Sequence, residues 1–324
     1  MNWMLVVWVV VLVVSLAALV KSADWFTEGA EELGVYLGVP PYVVGLTIVS
    51  MGTSLPELIS SIFAVVRGSP EIVVGNAVGS NITNICLVLA LGAIVGGHLL
   101  VGREIVKIDL PILASSTALL ALTAMDGTIS RGDGAILFIG AAVYGFYGLR
   151  MSQPSPVTQA KVEAVVEEEL KPERERLRRV VLLKLVGGAV ILYFAAEYTI
   201  TSVVELSALL GIGADLIAIS AVALGTSLPE LVVSVMAARR GKLEVAMANV
   251  LGSNIFNALA VVGIPALISP LPVTNAVRMI GLPFVAVATV LYFFMAQDRE
   301  ITRWEAAPLV LLYVLFIGML FGLF

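Results

Sequence analysis

Gly52-Thr53-Ser54-Leu55-Pro56-Glu57-Leu58 recurs letter for letter as Gly225-Thr226-Ser227-Leu228-Pro229-Glu230-Leu231, 173 residues later. At the same offset, Asn76, Gly79-Ser80-Asn81-Ile82 and Asn84 return as Asn249, Gly252-Ser253-Asn254-Ile255 and Asn257. On a helix, Thr53 and Ser54 lie four and three residues before Glu57, so the three side chains share a face. Pro56 has no N–H and its ring opposes the carbonyl four residues earlier, which frees the Gly52 carbonyl and loosens that of Thr53. Within one turn the segment therefore offers a carboxylate, hydroxyls and main-chain oxygens. Thr226, Ser227, Pro229 and Glu230 repeat the construction. Ser80 and Asn84 add neutral oxygens at i and i+4, with Gly79 allowing another helix to approach, and Ser253 and Asn257 repeat them. Each glutamate precedes its serine by 23 residues and its asparagine by 27, which suits two consecutive helices folding back on each other.

An all-oxygen set of this kind is hard-cation chemistry. Ca²⁺ accepts six to eight oxygens in flexible geometry, whereas Mg²⁺ requires a tighter octahedron and keeps its waters. One cysteine, Cys86, and one histidine, His98, leave no thiolate cluster, intramolecular disulfide or histidine site. A glutamate inside an apolar run costs about 2.5–3.5 kcal/mol even on insertion scales. The neighbouring apolar runs supply no Lys or Arg to neutralise the pair. The neutralising charge must then arrive from solution, as a divalent cation, several monovalent ones or protons. The pair should rarely cross the membrane empty.

The elements that position these residues are read from the rest of the chain. A 59% hydrophobic composition with 13% charged residues, and a mean hydropathy of +1.02, exclude an ordinary soluble domain. Ten apolar stretches are long enough for helices, near residues 3–30, 42–66, 71–96, 106–124, 134–150, 180–206, 214–238, 243–268, 277–296 and 305–323. The first has no positive segment before it and is longer than a signal-peptide core, so a retained helix is expected. With alternating helices, 16 of the 19 Lys and Arg residues fall on one side, leaving Arg67, Arg131 and Arg278 on the other. The positive-inside rule then places the N-terminus outside and the central linker in the cytoplasm.

The duplication extends beyond the motifs. Asp24 faces Glu197, Glu32 faces Glu205, and after an offset slip of one residue Leu110-Pro111 pairs with Leu282-Pro283 and Arg131 with Arg303. Each half holds five helices. An odd unit enters and leaves on opposite sides, so its second copy is inverted, as in many secondary transporters. The expected fold is an all-α polytopic membrane protein of ten transmembrane helices in two inverted five-helix repeats. Residues 1–150 form the first repeat, 151–178 a solvated cytoplasmic linker and 179–324 the second repeat. Asp24, Glu28, Glu32, Glu197 and Glu205 are expected near helix ends in contact with solvent.

The paired Gly-Thr-Ser-Leu-Pro-Glu motifs, each followed by Gly-Ser-Asn, resemble the two alpha repeats of the sodium/calcium exchanger family, within the cation/calcium antiporter superfamily, prokaryotic type. The resemblance covers essentially the whole chain. It implies ions held between helices two, three, seven and eight. Glu57 and Glu230 would bind Ca²⁺ with the carbonyls of Thr53 and Thr226. Ser54, Ser80, Asn84, Ser227, Ser253 and Asn257 would complete the sodium sites. The family's main-chain oxygen seven residues before each glutamate falls at Ser50 and Ala223. Several relatives, notably potassium-dependent ones, carry an aspartate where this chain has Asn257, which argues against potassium co-transport. The expected function is exchange of Ca²⁺ for Na⁺ across the cell membrane by alternating access, with Ca²⁺/H⁺ exchange by the same glutamates as the alternative. The partners are then Ca²⁺, Na⁺ (or H⁺) and the lipid bilayer. No cofactor, catalytic activity, nucleic acid or obligate protein partner is expected.

Overall fold

The computed structural model describes residues 3–37, 41–102, 105–151, 173–209 and 227–323. Among the described residues ten helices appear in order. They are α1 (Trp3–Leu37), α2 (residues 41–66), α3 (Glu71–Gly96), α4 (Ile105–Thr123), α5 (Arg131–Met151), α6 (Glu173–Leu209), α7 (Leu228–Arg239), α8 (Leu243–Ile268), α9 (residues 277–295) and α10 (Arg303–Leu320). Eight of these are long and apolar enough to cross a bilayer. The seventh stretch, expected over 214–238, is described only from Ser227, and most of the linker, residues 152–172, also lies outside the described residues.

Two helices outrun their apolar cores. α1 continues to Leu37 and α6 begins at Glu173, inside the charged stretch expected as linker. Glu, Arg and Leu are good helix formers, so Glu173–Arg179 extends the apolar helix that follows rather than interrupting it. α1 and α6 pack along each other's length. Their other faces expose large apolar residues such as Val9, Val13, Leu183 and Phe194, as lipid contact requires. α3 and α8 are the most enclosed helices, and the oxygen-bearing motifs lie there and on α2 and α7.

Four short strands reveal how the halves are oriented. β1 (His98–Leu100), between α3 and α4, pairs antiparallel with β4 (Glu300–Thr302), between α9 and α10. β2 (Thr128–Ile129), between α4 and α5, pairs with β3 (Leu271–Pro272), between α8 and α9. Parallel copies would bring the α3–α4 connection beside its equivalent, α8–α9. It meets α9–α10 instead, so the second repeat is inverted. Equivalent residues also touch where the repeats meet. Thr117 and Thr289 hydroxyls lie 3.3 Å apart, and Asn81 Nδ2 donates to the main-chain oxygen of Asn254 at 3.0 Å. Matching caps start the last helix of each repeat: Asp133 accepts from Ser130, and Glu305 from Thr302.

π-helical turns were not foreseen. They occupy Gly45–Val49, Asn84–Leu89, Ile105–Asp109, Asn257–Val261 and Val277–Gly281. The second and fourth are mirror equivalents, as are the third and fifth. Asn84–Leu89 has six residues where Asn257–Val261 has five, and a seven-residue α segment follows each. The one-residue slip between repeats is thus absorbed in a π turn, which accommodates an extra residue without ending the helix.

Candidate functional site

α2 carries Ser50, Thr53, Ser54 and Glu57, all buried, with Pro56 inside the helix. α7 begins with Pro229 at its second position, which tolerates the missing N–H, and places buried Glu230 in its first turn with Ser227 just before it. α3 adds Ser80 and Asn84, and α8 adds Ser253 and Asn257, all buried. Both asparagines stand at the first residue of a π turn. π turns alter the direction of side chains and recur at functional sites. Thr226 and Ala223 lie outside the described residues.

The two halves meet through these groups. Ser54 Oγ donates to Glu230 Oε1 at 2.9 Å, and the carboxylates of Glu57 and Glu230 lie within electrostatic reach of each other. The main-chain oxygen of Ser50 accepts from Thr53 Oγ1 at 3.2 Å and from Ser253 Oγ at 3.4 Å, so it stands between the repeats. This close approach depends on Gly252, where an added Cβ would lie 2.4 Å from the Leu46 oxygen and 2.5 Å from Ser50 Oγ. For Gly79, expected to play the same part, the mirror neighbours fall at residues 219 and 223, outside the described set.

Asn249 belongs to the duplicated motif but had no role in the sequence reading. Its Nδ2 donates to Ser234 Oγ at 2.9 Å, and its Oδ1 accepts from Thr53 Oγ1 at 3.4 Å. It therefore braces a motif residue of α2 from α8.

Several oxygens in this cluster are buried yet make no hydrogen bond among the described residues. They are both carboxyl oxygens of Glu57, Oε2 of Glu230, Oγ of Ser227 and the side-chain oxygens of Asn84 and Asn257. Buried polar groups ordinarily have partners, and carboxylates most of all. Two carboxylates with neutral hydroxyl, amide and carbonyl oxygens suit a desolvated Ca²⁺ or Na⁺. Among the described residues no three His, Cys, Asp or Glu side chains converge.

The acidic residues of α1 are not simply solvated, as the sequence reading expected. Arg240, in the α7–α8 turn, pairs with Asp24 at 2.8 Å and Glu28 at 2.9 Å, and Lys242 pairs with Glu31. Lys184 on α6 pairs with Glu32 at 2.6 Å and Glu28 at 3.6 Å. Beside them the Phe26 ring sits directly on Gly52, where a Cβ would meet it at 2.3 Å. One end of α1 is thereby pinned to the helices that hold the site.

Inverted helix repeats enclosing a buried, two-carboxylate oxygen cluster define a secondary membrane transporter. Comparison with known proteins agrees. The family model for sodium/calcium exchanger protein matches residues 7–149 and 180–322, and the chain belongs to that family. It is 32% identical to the putative antiporter CaxA of Alkalimonas amylolytica, over 98% of this chain and 100% of that protein. It is 31% identical to the sodium/calcium exchanger MaX1 of Methanosarcina acetivorans, over 96% and 97%. A solved structure of the sodium-calcium exchanger NCX_Mj, soaked with 10 mM Na⁺ and no Ca²⁺, superposes with a TM-score of 0.83 at 28% identity, covering 97% of this chain and 99% of that one. The protein is an integral multi-pass antiporter-family protein with ten transmembrane helices in two inverted repeats.

Proposed function

We propose that this protein exchanges Ca²⁺ for Na⁺ across the cell membrane by alternating access, as a transporter without enzymatic activity or cofactor. Glu57 and Glu230 hold Ca²⁺ with the carbonyls of Thr53, Thr226, Ser50 and Ala223. Ser54, Ser80, Asn84, Ser227, Ser253 and Asn257 complete the Na⁺ positions. The observation that carries the reading is the pair of fully buried glutamates, one from each inverted repeat, among hydroxyl and amide oxygens. Two carboxylates are neutralised by one divalent cation, or by monovalent cations that the neutral oxygens help to coordinate. Competition for the same carboxylates couples the two fluxes without another energy source.

The long α1–α6 pair is the element that moves against α2, α3, α7 and α8. It contacts lipid along much of its length and is tied to the core by ion pairs at one end. Because basic residues concentrate at that end, we assign it to the cytoplasm, with the N-terminus outside. The linker, 151–178, is a tether between the repeats, 1–150 and 179–324.

The test is Ca²⁺ uptake by sealed liposomes containing the purified protein, driven by an outward Na⁺ gradient and separately by an outward H⁺ gradient. Uptake with Na⁺ alone is expected. Uptake with H⁺ alone would replace the reading by Ca²⁺/H⁺ exchange on the same glutamates.

A further inference from the structure

A layer of three buried polar residues lies one helical turn from the site. Thr53 precedes Glu57 by four residues on α2, Asn249 precedes Ser253 by four on α8, and Ser234 follows Glu230 by four on α7. α7 is inverted relative to α2, and α8 folds back on α7, so all three steps lead toward the α7–α8 turn. The side chains meet there. Asn249 Nδ2 donates to Ser234 Oγ at 2.9 Å, and Thr53 Oγ1 donates to Asn249 Oδ1 at 3.4 Å. Thr53 and Asn249 are fully buried and Ser234 nearly so. The same residue types recur 173 residues away as Thr226, Asn76 and Ser61, so each half carries the set.

Thr53 has one hydroxyl proton and more than one acceptor for it. The main-chain oxygen of Ser50 accepts at 3.2 Å and Asn249 Oδ1 at 3.4 Å, so the proton is shared between them. The Glu230 carboxylate, bonded to the neighbouring Ser54, also faces this hydroxyl. In the proposed Ca²⁺ site Ser50 and Glu230 are ligands, whereas Asn249 is not. A cation and a hydroxyl proton compete for the same lone pairs. The Ser50 oxygen has two, and it already accepts from Ser253 Oγ at 3.4 Å as well as from Thr53.

We propose that Asn249 is a positioning residue for Ca²⁺, which takes over the Thr53 hydrogen bond when the cation occupies the Ser50 oxygen. The inference rests on the Ca²⁺ site proposed above. As Ca²⁺ arrives, the Thr53 hydroxyl turns from the Ser50 oxygen to Asn249 Oδ1. One lone pair is freed for the cation, and the buried hydroxyl keeps a partner. Without that acceptor, binding leaves the hydroxyl unpaired in the core, which is costly. Ser234 holds Nδ2 and so keeps Oδ1 turned toward Thr53. An amide meets both demands without charge, since it donates on one side and accepts on the other. An aspartate could not donate to Ser234 and would add a third carboxylate one turn from the pair.

Isothermal titration of the purified protein with Ca²⁺ in Na⁺-free buffer tests this as a double-mutant cycle. Asn249→Leu, close in volume but without an acceptor, is expected to weaken Ca²⁺ binding about two- to tenfold, the effect of one neutral hydrogen bond. Thr53→Val keeps the main-chain oxygen and removes the hydroxyl, and in that background Asn249→Leu should have no further effect. An equal loss in both backgrounds, as packing alone would give, overturns the proposal. So does wild-type affinity in Asn249→Leu. If Asn249→Leu does not fold, Ser234→Ala, which frees the amide, carries the same cycle. A loss that vanishes with Thr53→Val is expected there, and either no loss or an additive one overturns the assignment. Glu57→Gln separates the two readings. Ca²⁺ binding retained by Glu57→Gln refutes the cation site and this inference with it. Binding lost there but unchanged in Asn249→Leu refutes the positioning role alone.

Discussion

The two repeats are nearly identical in sequence around Glu57 and Glu230, yet their polar contacts differ. Ser54 reaches across to Glu230 at 2.9 Å, whereas among the described residues its mirror, Ser227, and the mirror acid, Glu57, make no such bond. Asn249 holds Ser234, while among the described residues Ser61, the mirror of Ser234, has no hydrogen bond from its hydroxyl. The contact of α1 with the α7–α8 turn, which we read as a gate, differs further. Arg240 pairs with Asp24 and Glu28 of α1, but its mirror, Arg67, lies over the Phe63 ring at 5.8 Å. The mirror of Asp24, Glu197, is exposed. Two copies of one unit thus occupy different local states within one molecule. In an inverted-repeat transporter, exchange of those two states between the copies opens the opposite side. Under the proposed exchange we read this asymmetry as one access state, and it can be attacked at graded cost.

The largest effect is expected where the copies agree. Glu57→Gln or Glu230→Gln should abolish Ca²⁺ exchange in liposomes while the purified variant remains folded by circular dichroism and monodisperse. Full exchange by either variant would refute the shared site. Ser54→Ala should weaken Ca²⁺ binding about ten- to hundredfold, since a hydrogen bond to a charged group contributes about 1.5–3 kcal/mol. Ser227→Ala sharpens the comparison. If the repeats trade states during the cycle, both alanine variants should slow turnover alike, although only Ser54 is bonded here. Isothermal titration and uptake rates measured on the two variants separate the cases.

Asn84→Ala and Asn257→Ala remove one neutral oxygen each and should raise the Na⁺ concentration for half-maximal exchange several-fold, with a smaller change for Ca²⁺. Equal changes in both would break that division of labour. The smallest effect belongs to the gate. The Arg240 pairs are partly exposed, and pairs of that kind contribute about 0.2–1 kcal/mol each. Arg240→Gln should therefore alter exchange rates by a few-fold, most clearly at low salt, and Arg67→Gln should leave them unchanged. Equal responses from the two arginines would remove the gate asymmetry.

Much of the site was legible because membrane depth penalises polar residues, so a glutamate and a proline duplicated in register advertise a use. The helix sequence followed from long apolar runs, and inversion followed from an odd number of helices per repeat. The π turns at Asn84 and Asn257 were not legible, because they reflect a one-turn change in hydrogen-bond register that these residue types do not encode. Buried Asp109 could have been noticed as an acid within an apolar run two residues before Pro111. Its position is not duplicated: the mirror residue is Gly281.

Residue chemistry and spacing alone therefore determined which oxygens are available, that they come in two equivalent sets, and that the chain crosses a membrane. Only the tertiary structure decided which copy of each pair is bonded among the described residues, and that α1 is pinned through Arg240 and Lys242 more than 200 residues away. Local sequence specifies the two oxygen-bearing motifs in the same terms. The difference between the repeats is in part written in the sequence, where Thr201 and Val204 mirror the Glu28 and Glu31 that meet Arg240 and Lys242, and in part made by packing, which gives Glu230 the serine donor that Glu57 lacks among the described residues.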